Sequence, residues 1–329
     1  MVYAYIPITI TNSESTATST DFQQLVNVDL SYYTSFLNSD LSNTFFSSDT
    51  AGSDIITSWL ESGNTSPFNS VNFWIYLPNG VGASSSITVY LQVDLSGTSH
   101  FNTTTTGVAP QLTSSYGEYD DGANIFTYYQ RWGGLSALPS GWSSTGVDIT
   151  YNSDYTTILS SSTSYGAIIS TFPITSTPFV LETYALMYEP NKNPRHQFGL
   201  YGSSTPNTDL DYVLGYSNTN GDVGVYNPAI SSGAYNYAQA TSNAIVGFAL
   251  PNTTSIYAYQ NYQLGYSNTA LTSSSFGYLQ YGSASESSPI NIYWTRVRAY
   301  PPNGIMPFVT AGTPSNFPYY NTTTYEDLL

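Results

Sequence analysis

Residues 85–94 read SSITVYLQVD, and their alternation decides the fold class. Ile87, Val89 and Leu91 fall on one side, the period-2 pattern of a half-buried strand. Upstream, VNFWIYLP (71–78) reads as a second strand, and PNGVGAS (78–84) joins the two through an Asn-Gly turn signal. VYAYIPITIT (2–11) alternates as well, with Pro7 marking an edge or leading position. Asp21 before FQQLVNV (22–28) reads as the cap of a short helical turn, with Phe22, Leu25 and Val26 as its apolar contacts. Together these stretches read as a compact β domain over residues 1–106, with Trp74 in its core.

Beyond the polar run at Asn102–Thr106, strand signals come short and densely. ANIFTYY (123–129), YGAIISTF (165–172), PFVLETYALMY (178–188) and RHQFGLY (195–201) form a first group. DYVLGY (211–216), AIVGFAL (244–250), SIYAYQ (255–260), FGYLQYG (276–282) and INIYWTRVRAY (290–300) complete it. Short strands punctuated by turn residues point to a two-sheet sandwich over residues 107–310. Its inward faces are expected to take Phe179, Leu181, Leu186, Ile245, Val246, Phe248 and Trp294. YPPNGIMPF (300–308) reads as a rigid exit, and residues 311–329 as a loose C-terminal tail.

Charge narrows the function. Only 8% of the residues are charged, five Lys+Arg against twenty-one Asp+Glu, for a net charge of -16. So few cations cannot build the basic field that nucleic acid or an anionic membrane surface requires. Sixteen per cent aromatic content, with 32 Tyr and 15 Phe, argues against a disordered acidic chain. The absence of Cys removes thiol catalysis, thiolate metal sites and disulfide stapling together. No apolar stretch is long enough to span a membrane, and MVYAYIPITITNSES (1–15) has neither the basic region nor the apolar core of a secretory signal. This surface suits an extracellular or virion-surface location, where the sequons at Asn64, Asn102, Asn252 and Asn321 are candidate glycosylation sites. The expected partners are other structural or surface protein subunits, or cell-surface glycans.

Several stretches carry a family pattern. YIPITITNSES (5–15), DFQQLVNV (21–28), SDIITSWLESGN (53–64) and NFWIYLPNGVGASSSITVYLQV (72–93) resemble the DUF2341 family of bacterial and archaeal surface proteins. GVAPQLTSSYGEYDDGANIFTYYQRW (107–132) and NIYWTRVRAYPPNGIMP (291–307) resemble the runs that accompany that module. The middle of the chain is similar to a concanavalin A-like or laminin G-like domain, with GGLSALPSGWSSTG (133–146) as its opening strand and turn. The resemblance implies an all-β chain: a small N-terminal sandwich-like domain, then a concanavalin A-like jelly-roll sandwich. It implies adhesion or carbohydrate contact on an extracellular surface, including the surface of an archaeal virus, and transfers no catalytic residue.

Candidate sites follow from residue chemistry. Some concanavalin-like sandwiches are glycoside hydrolases, which need two facing carboxylates about 5–5.5 Å apart for retention. No such motif occurs, and Glu182 and Glu189 have opposite strand parity. Glu182 is expected on a wet face, and catalytic residues are expected to be none. His100 and His196 are the only imidazoles and lie far apart in sequence, which disfavours zinc. Calcium suits the oxygen ligands of Glu118, Asp120 and Asp121 in EYDDGAN, or of Asp209 and Asp211. Both groups also suit turn capping without an ion. Trp132, Trp142, Tyr201 and Tyr216 are candidates for stacking on a sugar, and Tyr257 and Tyr259 could contribute as well. Arg296 and Arg298 share one strand face and are expected to neutralise carboxylates.

Overall fold

The structure is a computed structural model that describes residues 3–161, 165–187, 195–208, 210–217, 222–226, 235–238, 240–271, 276–283 and 289–318. The chain divides into two compact units, residues 1–126 with 301–329, and residues 127–300. The boundaries expected at 106/107 and 310/311 therefore both fall inside unit 1.

Unit 1 begins with β1 (Tyr3–Asn12), β2 (Phe22–Val28), β3 (Thr44–Ser47) and β4 (Ile55–Ile56). It continues with β5 (Ser58–Ser62), β6 (Val71–Leu77), β7 (Ser85–Asp94), β8 (Thr106–Val108) and a one-turn helix α1 (Gly122–Ile125). Unit 2 holds β9 (Tyr128–Arg131), β10 (Trp142–Thr145), β11 (Val147–Tyr151), β12 (Thr156–Ser160), β13 (Gly166–Thr171) and β14 (Phe179–Leu186). Then come β15 (Arg195–Tyr201), β16 (Leu210–Ser217), β17 (Asp222–Tyr226), β18 (Tyr235–Ala238) and β19 (Ala244–Asn252). β20 (Ser255–Gln260), β21 (Gln263–Asn268), β22 (Tyr278–Ser283) and β23 (Ile290–Ala299) complete it, and β24 (Phe308–Ala311) returns to unit 1.

Unit 1 is a sandwich of a five-stranded sheet, β24-β1-β7-β3-β4, and a four-stranded sheet, β2-β6-β5-β8. The strand read first, β7, pairs with β1 over its whole length. Ile6, Ile8 and Ile10 of β1 and Val89, Leu91 and Val93 of β7 are all buried, as strict alternation requires. Phe46 of β3 meets Phe73 of β6 edge-to-face at 5.3 Å, linking the two sheets. FQQLVNV is a strand rather than a helical turn, because β2 pairs with β6 from Phe22 to Val28. Sheet pairing has overridden the helix-like spacing of Phe22, Leu25 and Val26.

Residues 107–126 belong to unit 1 for a packing reason. Trp59 and Trp74 sit opposite each other on β5 and β6, and the Phe126 ring covers both at 5.3 and 5.8 Å. The tail is docked as far as it is described. β24 pairs with β1, Ser315 bridges Tyr5, and Phe317 packs on Tyr33 and Phe36 at 4.8 and 5.2 Å. Residues 312–318 are thus not loose; residues 319–329 lie outside the described part.

Unit 2 pairs a seven-stranded sheet, β10-β13-β22-β15-β16-β17-β18, with a larger one, β11-β12-β23-β14-β19-β20-β21, to which β9 adds beside β23. Its core takes Phe179, Leu181, Val246 and Phe248 as expected, with Phe198, Leu200, Leu214 and Ile292. Leu186 is half-buried, and Ile245 lies outside that cluster. Trp294 is buried but lies outside that cluster too, stacked on Tyr184 at 5.6 Å. The opening of ANIFTYY is α1 rather than strand; only Tyr128 and Tyr129 belong to β9. The chain is all-β, with jelly-roll-type sandwich architecture. Among the described residues no helix is long and apolar enough to cross a membrane.

Candidate functional site

The strongest electrostatic feature is a buried charge cluster on β14 and β23. Register places Glu182 opposite Arg296, and Arg298 lies two residues on along the same face. Glu182 and Arg296 are both fully buried. Arg296 Nε donates to Glu182 Oε2 at 2.6 Å, and Arg298 Nη2 and Nε donate to Oε1 at 2.9 and 3.1 Å. The Tyr259 hydroxyl adds a bond to Oε1 at 2.7 Å. Arg296 also donates to the Tyr262 hydroxyl at 2.7 Å and lies over the Trp294 ring at 4.6 Å. Burial would push the Glu182 carboxyl up, but Arg296 and then Arg298 hold it down at about 2. A carboxylate so occupied is a structural counter-ion, not an acid or base for a substrate. The expectation of a wet face for Glu182 is corrected: its side is opposite to Leu181, yet sealed. The expectation that the two arginines neutralise a carboxylate is met by Glu182.

The acidic turn after β8 places its three carboxylates in different surroundings. Glu118 is exposed, whereas Asp121 is buried at 2% exposure. Asp120 Oδ1 accepts from the Trp59 indole N–H at 3.0 Å and from the Gly122 amide at 3.1 Å. Neither Asp121 oxygen has a hydrogen-bond partner in another described residue. Burial, then the adjacent Asp120 charge, push the Asp121 carboxyl up to about 8. Among the described residues no three acidic, His or Cys side chains gather to hold a metal ion. The burial of Asp121 and the Trp59 and Gly122 bonds of Asp120 give the members of the Glu118, Asp120 and Asp121 calcium candidate different surroundings. Asp209 and the Asp211 side chain lie outside the described residues. His100 Nε2 pairs with Asp94 at 3.0 Å, while His196 Nδ1 contacts the Met187 carbonyl at 3.0 Å.

Two of the four stacking candidates, Trp132 and Tyr201, are structural. Trp132 is fully buried, donates to Thr295 Oγ1 at 2.8 Å and meets Trp142 edge-to-face at 4.7 Å. Tyr201 is buried, with its hydroxyl donating to Gln197 at 2.7 Å. Neither offers a ring face to a sugar. Trp142 is half-buried, and the Tyr216 side chain lies outside the described residues. Among the sequons, Asn252 is exposed at the β19–β20 turn, with Oδ1 accepting from Thr254 N at 2.9 Å. Asn102 is engaged at both ends of its amide, donating to the His100 carbonyl and accepting from Thr104 and Thr105 amides. Asn64 donates to the Leu112 carbonyl at 3.3 Å, and Asn321 lies outside the described residues.

Sequence reasoning missed a cleft of about 510 Å³ in unit 1. Its walls are Ile55 and Ile56 of β4, Leu77 at the end of β6, the Pro78–Gly80 turn, and Ile87–Val89 of β7. Gly80 makes that turn at φ +61°, where an added Cβ would lie 2.3 Å from the Ser19 carbonyl oxygen. At its rim, Asp54 accepts from the Ser48 hydroxyl, and the Tyr76 hydroxyl donates to Asp21. The volume lies within the ~300–1,000 Å³ range of ligand pockets. No sequence pattern announced it, because β4 is only two residues long and Ile55 is exposed.

Comparison with known proteins places part of the sequence. No family model matches the chain. A stretch of 122 residues is 42% identical to "Uncharacterized protein 562" of Sulfolobus islandicus rod-shaped virus 1. That match covers 37% of this chain and 21% of the viral protein, so the chain spans about a fifth of that relative's length. Among solved structures, the carbohydrate recognition domain of Emp47p superposes with a TM-score of 0.40 at 10% identity, over 52% of this chain and 95% of that one. A Bacillus licheniformis beta-glucanase gives 0.40 at 15% identity, over 52% and 97%. The exoplasmic domain of VIP36 gives 0.38 at 10% identity, over 51% and 86%.

Proposed function

We propose that this chain is a non-catalytic structural or adhesion protein of a virion surface or another extracellular surface. The observation that carries the reading is how its buried acids are used. Among the buried acids, Glu182 is consumed by two arginines and a tyrosine and Glu61 by the Trp74 indole at 2.9 Å, and the half-buried Asp120 is held by the Trp59 indole. Asp121, buried with no hydrogen-bond partner among the described residues, is the exception. Such paired groups fix strands to one another instead of facing a substrate. The viral relative supports the setting, whereas the DUF2341 resemblance read from sequence finds no matching family model and adds nothing to it. Its partners are neighbouring surface subunits or cell-surface glycans, and glycan contact centres on Trp142, the half-buried member of the stacking set.

The test is the assembly state of the protein isolated from its native source, by light scattering and intact mass before and after deglycosylation. A large assembly of fixed stoichiometry is expected. A clean monomer would sink the subunit reading and leave an isolated attachment module, to be tried on glycan arrays with and without calcium. Hydrolysis of any arrayed glycan would overturn the non-catalytic assignment.

A further inference from the structure

The unit 1 cleft sits beside a strand edge that the fold leaves unpaired. β7 pairs with β1 from Ser85 to Asp94, but with β3 only from Tyr90 to Val93. On the β3 side, Ser85–Val89 meet no strand among the described residues. The cause is the path of β3. After Ser47 the chain folds away, and the Asp49 carbonyl accepts from the Gln92 side chain at 2.9 Å. It returns as β4 on the far side of β3, then crosses to the other sheet where the Tyr76 amide donates to the Thr57 carbonyl at 2.9 Å. The cleft is the gap left where β3 would have continued alongside Ile87–Val89.

We propose that this gap is a strand-addition site, which takes an extended segment of another protein along the free edge of β7. An open edge offers unpaired backbone N–H and C=O groups, and folded proteins blunt such edges with charge, proline or a bulge. SSITV (85–89) carries none of these and is rich in strand-forming residues. Ile55, Ile56, Leu77 and Ile87 supply apolar surface for the alternate side chains of an added strand. Charge selects the occupant. The lining holds the carboxylate of Asp54 and no cation, and the whole chain carries -16. A second copy would bring the same negative field, so the fitting partner is a neutral or basic β-forming segment with β-branched residues at every second position.

The probe is acetyl-(Lys-Val)3-Lys-amide, titrated by calorimetry and NMR against the full chain. Binding is expected, with slowed exchange of the Ser85–Val89 amides. Loss of one backbone hydrogen bond corresponds to about tenfold in affinity. The same peptide N-methylated at alternate residues should therefore bind about tenfold weaker or worse, and acetyl-(Glu-Val)3-Glu-amide should not bind. Ile55→Trp fills the cleft from an exposed position and should abolish binding. No binding by the basic peptide, affinity indifferent to N-methylation, or unchanged exchange at Ser85–Val89 would each overturn the proposal. Self-association of the chain that the peptide reverses would assign the edge to a second copy, and would overturn it too.

Discussion

Glu182 and Asp121 are both buried carboxyls, and their surroundings push them in opposite directions. Glu182, with two arginines, stays ionised down to about 2, below its ordinary 4.5. Its contribution is present above pH 4.5 and is lost as pH falls towards 2, about 3 kcal/mol in all. Glu182→Gln should destabilise unit 2 by about 3–5 kcal/mol at neutral pH, because it leaves two buried guanidinium groups without their counter-ion. Denaturant titration checks this. Asp121 instead holds its proton up to about 8 against an ordinary 3.8. In that window the unfolded chain ionises and the folded chain does not, so unit 1 loses stability as pH rises from about 4 to 8. The loss amounts to about 5 kcal/mol, and Asp121→Asn should flatten that slope in a pH series of chemical melts. The sequence held half of this: Arg296 and Arg298 were legible as partners of a carboxylate. Which carboxylate they meet depended on register between residues 114 to 116 positions apart, and the inward placement of Asp121 on its packing against Gly107, neither of which local pattern carries.

At the scale of the element, strands were legible where they were long and alternating. β7, β14, β19, β20 and β23 match the stretches read from sequence because one face of each is fed by a regular apolar series. β4 and β8, at two and three residues, are too short to show a period. β2 misled because both its faces are covered: Gln23 and Gln24 are buried beside Phe22, and the apolar spacing no longer alternates. β8 nevertheless has a sharp constraint that a substitution can expose. A Cβ on Gly107 would lie 1.7 Å from Asp121 Oδ1 and 2.2 Å from its Cγ. Gly107→Ala is expected to destabilise unit 1 by at least about 1–3 kcal/mol through overpacking. Adding Asp121→Ala should recover much of that loss, since it removes the clashing carboxylate. A double-mutant cycle by denaturant melts would show coupling between the two sites, and additive effects would place the strain elsewhere.

On the scale of the whole molecule, unit 2 is inserted into unit 1, and this explains why the boundaries moved. A linear reading placed a break at the polar run before Thr106 because composition changes there. Packing places it after Phe126, whose ring closes over Trp59 and Trp74. The return of β24 to β1 pairs Phe308 with Thr11, a contact no window of sequence reveals. Truncation after Tyr300 tests this organisation. It removes β24, the Tyr5–Ser315 bridge and the Phe317 ring that packs on Tyr33 and Phe36. The main core of unit 2, from Trp132 to Val297, loses no member. Hydrogen exchange on the truncated chain should show β1 and β7 losing protection, while β14, β19 and β23 keep theirs. Full protection of β1 would mean that the returning strand is dispensable to the unit 1 sheet. Loss of protection in both sets would mean that the units fold as a single cooperative body.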